Sequence, residues 1–105
     1  MLHSFETHLK NGPDGSTVLA VVGELDLASA PHFREAVGEA MGTGARNVVV
    51  DLSGSDFIDS SGIGALMWAE HRLQAVGGDL RTTGCTPPVA RAFAIAGLSQ
   101  MIHEA

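Results

Sequence analysis

Residues 47–52 read NVVVDL, a nearly continuous apolar run of strand length. A run that is apolar at successive positions fits a central strand covered on at least one face. What surrounds it constrains the fold further. Upstream, Ser29 fits a helix N-cap, Pro31 sits in the first helical turn, and Gly42 and Gly44 stop a helix that runs to about Met41. Downstream, a second helix is expected from about Ser61 to Val76, ended by Gly77 and Gly78. Strands separated by helices in one sheet need right-handed crossovers, and that makes their neighbours parallel.

The remaining segments complete the order. Alternation from Ser4 to Leu9 suggests a first strand, and the cluster Asn11-Gly12-Pro13-Asp14-Gly15-Ser16 turns it back into Thr17–Val22 (TVLAVV). Asp79–Thr83 reads as a short strand. Thr86-Pro87-Pro88 starts a third helix that Gly97 ends, and Met101–His103 adds either a short edge strand or a last turn. The expected fold is α/β: a small mixed β-sheet, an N-terminal hairpin followed by β-α-β crossovers, with the helices mainly on one face. A chain of 105 residues holds one core and not two, so residues 1–105 are expected to form a single domain.

Charge narrows the function. The net charge is −6, from 6 basic against 12 acidic residues, and the basic residues are scattered. Neither nucleic acid nor an anionic membrane surface is an expected partner, because both need clustered Lys and Arg. The N-terminus MLHSFETHLK alternates polar and apolar residues, so it is read as neither signal peptide nor spanning helix, and a cytoplasmic location is expected. Cys85 is alone, which excludes an internal disulfide and any CxxC site.

The chemistry is concentrated in FIDSSGIG, Phe57–Gly64. Ser60 and Ser61 follow a strand and a short loop and open a helix, whose first turn offers unpaired N–H groups and a partial positive charge. A plain helix cap is one reading of the pair. An acyl-transfer nucleophile is another, but the G-x-S-x-G elbow is absent and His71 lies more than two turns on in the same helix. Modification by phosphate is the third. Asp51, Asp56 and Asp59 bracket one loop and on paper could hold Mg²⁺, the pattern of a receiver domain phosphorylated on aspartate. Against that, no adjacent acidic pair follows the first strands, and Lys10 is the only lysine. The five histidines have no i, i+4 pairing. No catalytic residue, metal or cofactor is therefore expected. On the helix itself, Ile63, Leu66, Met67, Glu70, Leu73 and Gln74 share a face expected to meet the sheet, with Ser61, Ala65, Trp68, Arg72 and Ala75 opposite. Trp68 is then either the centre of an interface or a side chain buried under a neighbour.

Several segments together resemble one family. GELD (Gly23–Asp26), Asp51-Leu52, FIDSSGIG, the Gly77-Gly78 stop and PVARAFAIAGL (Pro88–Leu98) are similar, in register, to the STAS domains, and most to the bacterial anti-anti-sigma factors. The resemblance implies a binding protein without catalytic activity. Unphosphorylated, such a protein docks on an anti-sigma factor that is also an ATP-dependent serine kinase, and the sigma factor is released. The kinase modifies the serine directly after the motif's Asp, here Ser60, and a PP2C-type phosphatase reverses it. Ser61 takes the position that is Ser or Thr in relatives. The implied docking surface includes Asp26, Asp59, Ser60 and Ser61, with Gly62 and Gly64 allowing close approach; Trp68 and Arg72 are added from the helix-face reading. Other readings are a STAS scaffold subunit of a stress-signalling assembly and the aspartyl-phosphate receiver. A domain of an anion transporter is disfavoured by the starting Met1 and the lack of a membrane segment.

Overall fold

The computed structural model describes residues 4–101. Its strands are β1 (Glu6–Asn11), β2 (Thr17–Val22), β3 (Asn47–Gly54) and β4 (Asp79–Thr83), and its helices are α1 (Ala30–Gly42), α2 (Ser60–Gln74) and α3 (Pro87–Ile95). Single 3-10 turns occupy Pro13–Gly15 and Ser99–Met101. The sheet order is β1-β2-β3-β4, with β1 antiparallel to β2 and β2, β3 and β4 mutually parallel. The mixed sheet and its crossovers are those the sequence predicts. β1 starts later than expected and β3 runs on to Gly54. Met101 closes a 3-10 turn and not a strand, while residues 102 and 103 lie outside the described residues.

One face of the sheet carries the core. Leu19 and Val21 of β2, Val48, Val50 and Leu52 of β3, and Leu80 of β4 are buried. They join Phe33 and Val37 of α1, Leu66 and Leu73 of α2, and Val89 and Phe93 of α3 in a single cluster. Each such side chain contributes about 1.5–3 kcal/mol on burial, which is what pins the helices to this face. The alternate residues Val18, Ala20, Val49 and Asp51 are only partly covered, so the apolar run of β3 is sheltered by helices on one side alone. Thr82 is the buried hydroxyl of this face, and it donates to the Met101 carbonyl at 2.8 Å, tying the last turn to β4.

The pairing of β2 with β3 shifts between Ala20 and Val22. Beyond that irregularity the two chains continue together past the sheet, and this is where the candidate site is built.

Candidate functional site

Past the C-terminal ends of β2 and β3 the backbone stays paired. Gly23 N–H donates to the Gly54 carbonyl at 3.0 Å, and Leu25 N–H donates to the Phe57 carbonyl at 3.1 Å. Asp59 N–H in turn donates to the Leu25 carbonyl at 3.2 Å, so Leu25 and Ile58 form a parallel bridge. Both side chains are buried. In this register Asp26 stands level with Asp59, and the GELD segment lies beside the start of α2.

Each loop is closed by its own aspartate. Ser29 N–H donates to Asp26 Oδ1 at 3.1 Å, while Ser29 Oγ accepts from Asp26 N–H at 3.0 Å and donates to the Glu24 carbonyl at 2.6 Å. Ser29 precedes α1, as expected of a cap, but its side chain makes no cap bond; the hydroxyl closes the GELD loop instead. Thr86 behaves alike at α3, where Oγ1 donates to the Ser55 carbonyl at 2.9 Å and holds that helix to the loop before the site. Replacing the buried Ser29 with alanine leaves the Glu24 carbonyl and Asp26 N–H without their partner. The expected cost is about 1–3 kcal/mol, read as a lower midpoint in thermal unfolding.

The cap expected of the serine pair belongs to Asp59. Its backbone is extended, at φ −111° and ψ −173°, and Oδ1 accepts from Gly62 N–H at 3.0 Å. That frees both serines. Ser60 is the first helical residue and is exposed, and Ser61 is half-buried.

The two glycines differ. A Cβ on Gly62 would lie 2.3 Å from the Leu25 carbonyl oxygen and 2.8 Å from Ile58 Cγ1. Its missing side chain lets α2 seat against the GELD loop, which corrects the role expected for it in a partner's approach. Gly64 is exposed, with no atom beyond its own stretch of helix within 4 Å of the place where a methyl would stand, and remains open to a partner.

The helix face is also rotated from the expected one. The buried residues of α2 are Gly62, Ala65, Leu66, Ala69 and Leu73, while Met67 and Gln74 are exposed. Periodicity favours the largest apolar residues, but the buried line uses alanines where backbone elements approach closely. Ala65 therefore leaves the solvent side. Trp68 is half-buried against the core, and the Arg72 guanidinium sits 5.3 Å from its ring centroid. Ser60, Gly64, Met67 and His71 form the exposed crest at three- and four-residue spacing.

Residues that sequence patterning does not single out also gather here. Leu27 is 74% exposed and Phe57 46% exposed, large apolar side chains in the two paired loops. The segments 23–29 and 53–64 carry Glu24, Asp26, Asp56 and Asp59 and not one Lys or Arg. Their signal is present as exposed apolar letters inside the motifs, but without periodicity to mark them as surface. The aspartates do not converge on a cation: Asp51 Oδ1 accepts from Ser53 N–H at 2.9 Å, Asp59 caps Gly62, and among the described residues no three His, Cys, Asp or Glu side chains form a metal-binding group. Among the described residues no helix is long and apolar enough to cross a membrane.

A family model described as Mlab, STAS domain matches residues 8–103. The chain belongs to the STAS family. This STAS domain is 29% identical over 83 residues to the anti-sigma-B factor antagonist of Staphylococcus aureus, covering 79% of this chain and 77% of that protein. It is 28% identical over 91 residues to the anti-sigma F factor antagonist of Lysinibacillus sphaericus, covering 86% and 78% of the two chains. Its structure superposes on an anti-sigma factor antagonist from Mycobacterium paratuberculosis with a TM-score of 0.82 and 26% identity, over 96% of this chain and 85% of the other. The unphosphorylated form of SpoIIAA shares the fold at a TM-score of 0.82 and 24% identity, over 95% and 88% of the two chains.

Proposed function

We propose that this STAS domain is an anti-anti-sigma factor whose docking on an anti-sigma factor is switched by phosphate on Ser60. The observation that carries the reading is the exposed Ser60 hydroxyl at the first position of α2, between a capping Asp59 and the open Gly64. The relatives bear the names of anti-sigma factor antagonists, which supports the same role. Residues 1–105 act as one cytoplasmic domain in this reading, and the partners are an anti-sigma factor serine kinase and a PP2C-type phosphatase.

The neutral face comprises Asp26, Asp59, Ser60, Ser61 and Gly64, extended along α2 by Trp68 and Arg72, with Gly62 serving it from within. Phosphate adds about −1.5 to −2 charges. The helix N-terminus tolerates that charge, so the domain keeps its shape. A partner that fitted the neutral serine instead meets an anion beside Asp59 and Asp26. Incubation with each anti-sigma kinase of the host and ATP tests this: acid-stable phosphate is expected on Ser60 and absent from Ser60→Ala. Full labelling of Ser60→Ala would move the acceptor to Ser61, and acid-labile label that requires Mg²⁺ would favour a receiver domain.

Trp68 and Arg72 separate core from contact. Arg72→Ala removes an exposed cation–π partner and is expected to cost about 0.5–1 kcal/mol of stability. Trp68→Ala also opens space against the core and is expected to lower the melting temperature further. Both variants are expected to weaken docking in a pull-down; unchanged capture of the kinase by Arg72→Ala would remove that end of α2 from the interface.

A further inference from the structure

Strand β1 is one edge of the sheet, and among the described residues nothing pairs with its outer side. Edges of this kind are usually blunted by a proline, a bulge or very short length. β1 has none of these: its six residues, ETHLKN, pair with β2 without a shift of register. The direction of its backbone groups follows from the hairpin. Gly12 N–H donates to the Ser16 carbonyl at 2.8 Å, continuing that register past Asn11. Alternate residues of an antiparallel ladder bond the same neighbour, so Glu6, His8 and Lys10 also bond β2. Thr7 and Leu9 then point N–H and C=O outward, away from β2.

The side chains alternate as well. Thr7 and Leu9 lie opposite the buried Val21 and Leu19, on the helix-covered face, where Leu9 is still 38% exposed at the edge. Glu6, His8 and Lys10 therefore line the open face. His8 Nε2 meets Glu6 Oε1 at 3.1 Å, and a carboxylate has room for a further donor on its second oxygen. Among the described residues Lys10 makes no ion pair, the other pair joining Arg81 to Asp79 of β4. A lysine on an open edge deters an incoming strand unless that strand sets an acid opposite it.

We infer that the outer edge of β1 pairs antiparallel with β1 of a second copy of this chain, about a two-fold axis at His8. In that register Glu6 stands opposite Lys10 of the second copy, Lys10 stands opposite its Glu6, and Thr7 and Leu9 exchange backbone bonds. Glu6 and Lys10 lie at equal distances either side of His8, and this self-complementarity selects a second copy as the occupant. Both charge pairs fall at non-hydrogen-bonded positions, where facing side chains are closest. Other registers do not serve. A slip of one residue sets outward-bonding residues against inward-bonding ones. A slip of two either sets Lys10 against His8 or takes it away from every acid of the strand. The exposed Leu9 gains cover from Thr7 of the second copy, and the sheet doubles in width. Because the two-fold reverses the strands, the two Ser60 sites lie at opposite ends of the joined sheet. The pairing does not rest on the function proposed above.

Sedimentation equilibrium of the full chain over a range of concentrations up to about 1 mM tests this. The mass is expected to rise from 10.9 kDa toward twice that value, with a dissociation constant below about 100 μM. Lys10→Glu is expected to weaken self-association about tenfold or more, since both symmetry-related pairs turn repulsive. Glu6→Lys should do the same, and melting temperatures close to the parent's would show that both variants fold. The deciding arm mixes these two variants, which restores both attractions: the mixture is expected to form a dimer that neither forms alone. The double reversal, Glu6→Lys with Lys10→Glu, is expected to self-associate like the parent. A monomeric mass at every concentration overturns the pairing and leaves the edge to a strand of another protein. A dimer that both single reversals leave intact overturns β1 as its interface, and a mixture that stays monomeric overturns the register.

Discussion

A Ser60→Glu variant is expected to bind the anti-sigma partner about a hundredfold more weakly than Ser60→Ala, a difference of about 2.8 kcal/mol. The cause is electrostatic. Ser60 is exposed at the first position of α2, and the neighbouring loops bear Glu24, Asp26, Asp56 and Asp59 with no Lys or Arg between them. A further carboxylate at the centre of the contact would be stripped of water and left without a cation, and a loss of this size is ordinary for such a charge. Stability should not fall with it. An acid in the first turn of a helix is favoured by about 0.3–1 kcal/mol, so the melting temperature of Ser60→Glu should equal or exceed that of the parent. Titration calorimetry with the purified kinase reads the affinity. Equal binding by Ser60→Glu and Ser60→Ala would reject Ser60 as the switch, and Ser60→Ala should bind irrespective of ATP.

The second large effect concerns the two glycines of the same motif, which should respond to alanine in opposite directions. At Gly62 the new methyl would sit 2.3 Å from the Leu25 carbonyl oxygen and 2.9 Å from Leu25 Cγ. The first of these atoms is backbone, already bonded to Asp59 N–H, and it cannot yield without separating α2 from the GELD loop. Overpacking of this kind costs about 1–3 kcal/mol or more, roughly 4–8 °C of melting temperature per kcal/mol in a domain of this size. Docking should fall as well, since Asp26 would no longer stand level with Asp59. At Gly64 no atom beyond its own stretch of helix lies within 4 Å of the new methyl and the backbone is helical, so alanine should stabilise the fold by up to about 1 kcal/mol. Thermal unfolding of the two variants checks both signs. A neutral Gly62→Ala would mean that the loop and the helix move independently.

The contrast between these glycines shows what could be read in advance. NVVVDL, TVLAVV and the Gly and Pro stops are local signals, and a strand or helix announces itself within its own span. Right-handed crossovers then leave little choice of topology, so the mixed sheet and its helix-covered face were legible. The site motif was legible too, as letters. Its internal roles were not. Ser29, Thr86 and the serine pair all look like caps, since each is a hydroxyl before a helix. The Ser29 hydroxyl closes its own loop, the Thr86 hydroxyl bonds to another, and the cap of α2 passes to Asp59.

The sequence by itself thus determined the order of elements, the parallel centre of the sheet and the stretch at which the second helix begins. Only the tertiary structure decided where each hydroxyl before a helix bonds, which glycine is internal and which face of α2 is buried. Those outcomes rest on atoms far apart in the chain: Thr86 on Ser55, Gly62 on Leu25, and the alanines of α2 on the core beneath it. A hydrogen-bonding group or a missing side chain does whatever its nearest neighbour requires. At this site that neighbour was brought in by the pairing of Leu25 with Ile58, beyond the end of the sheet.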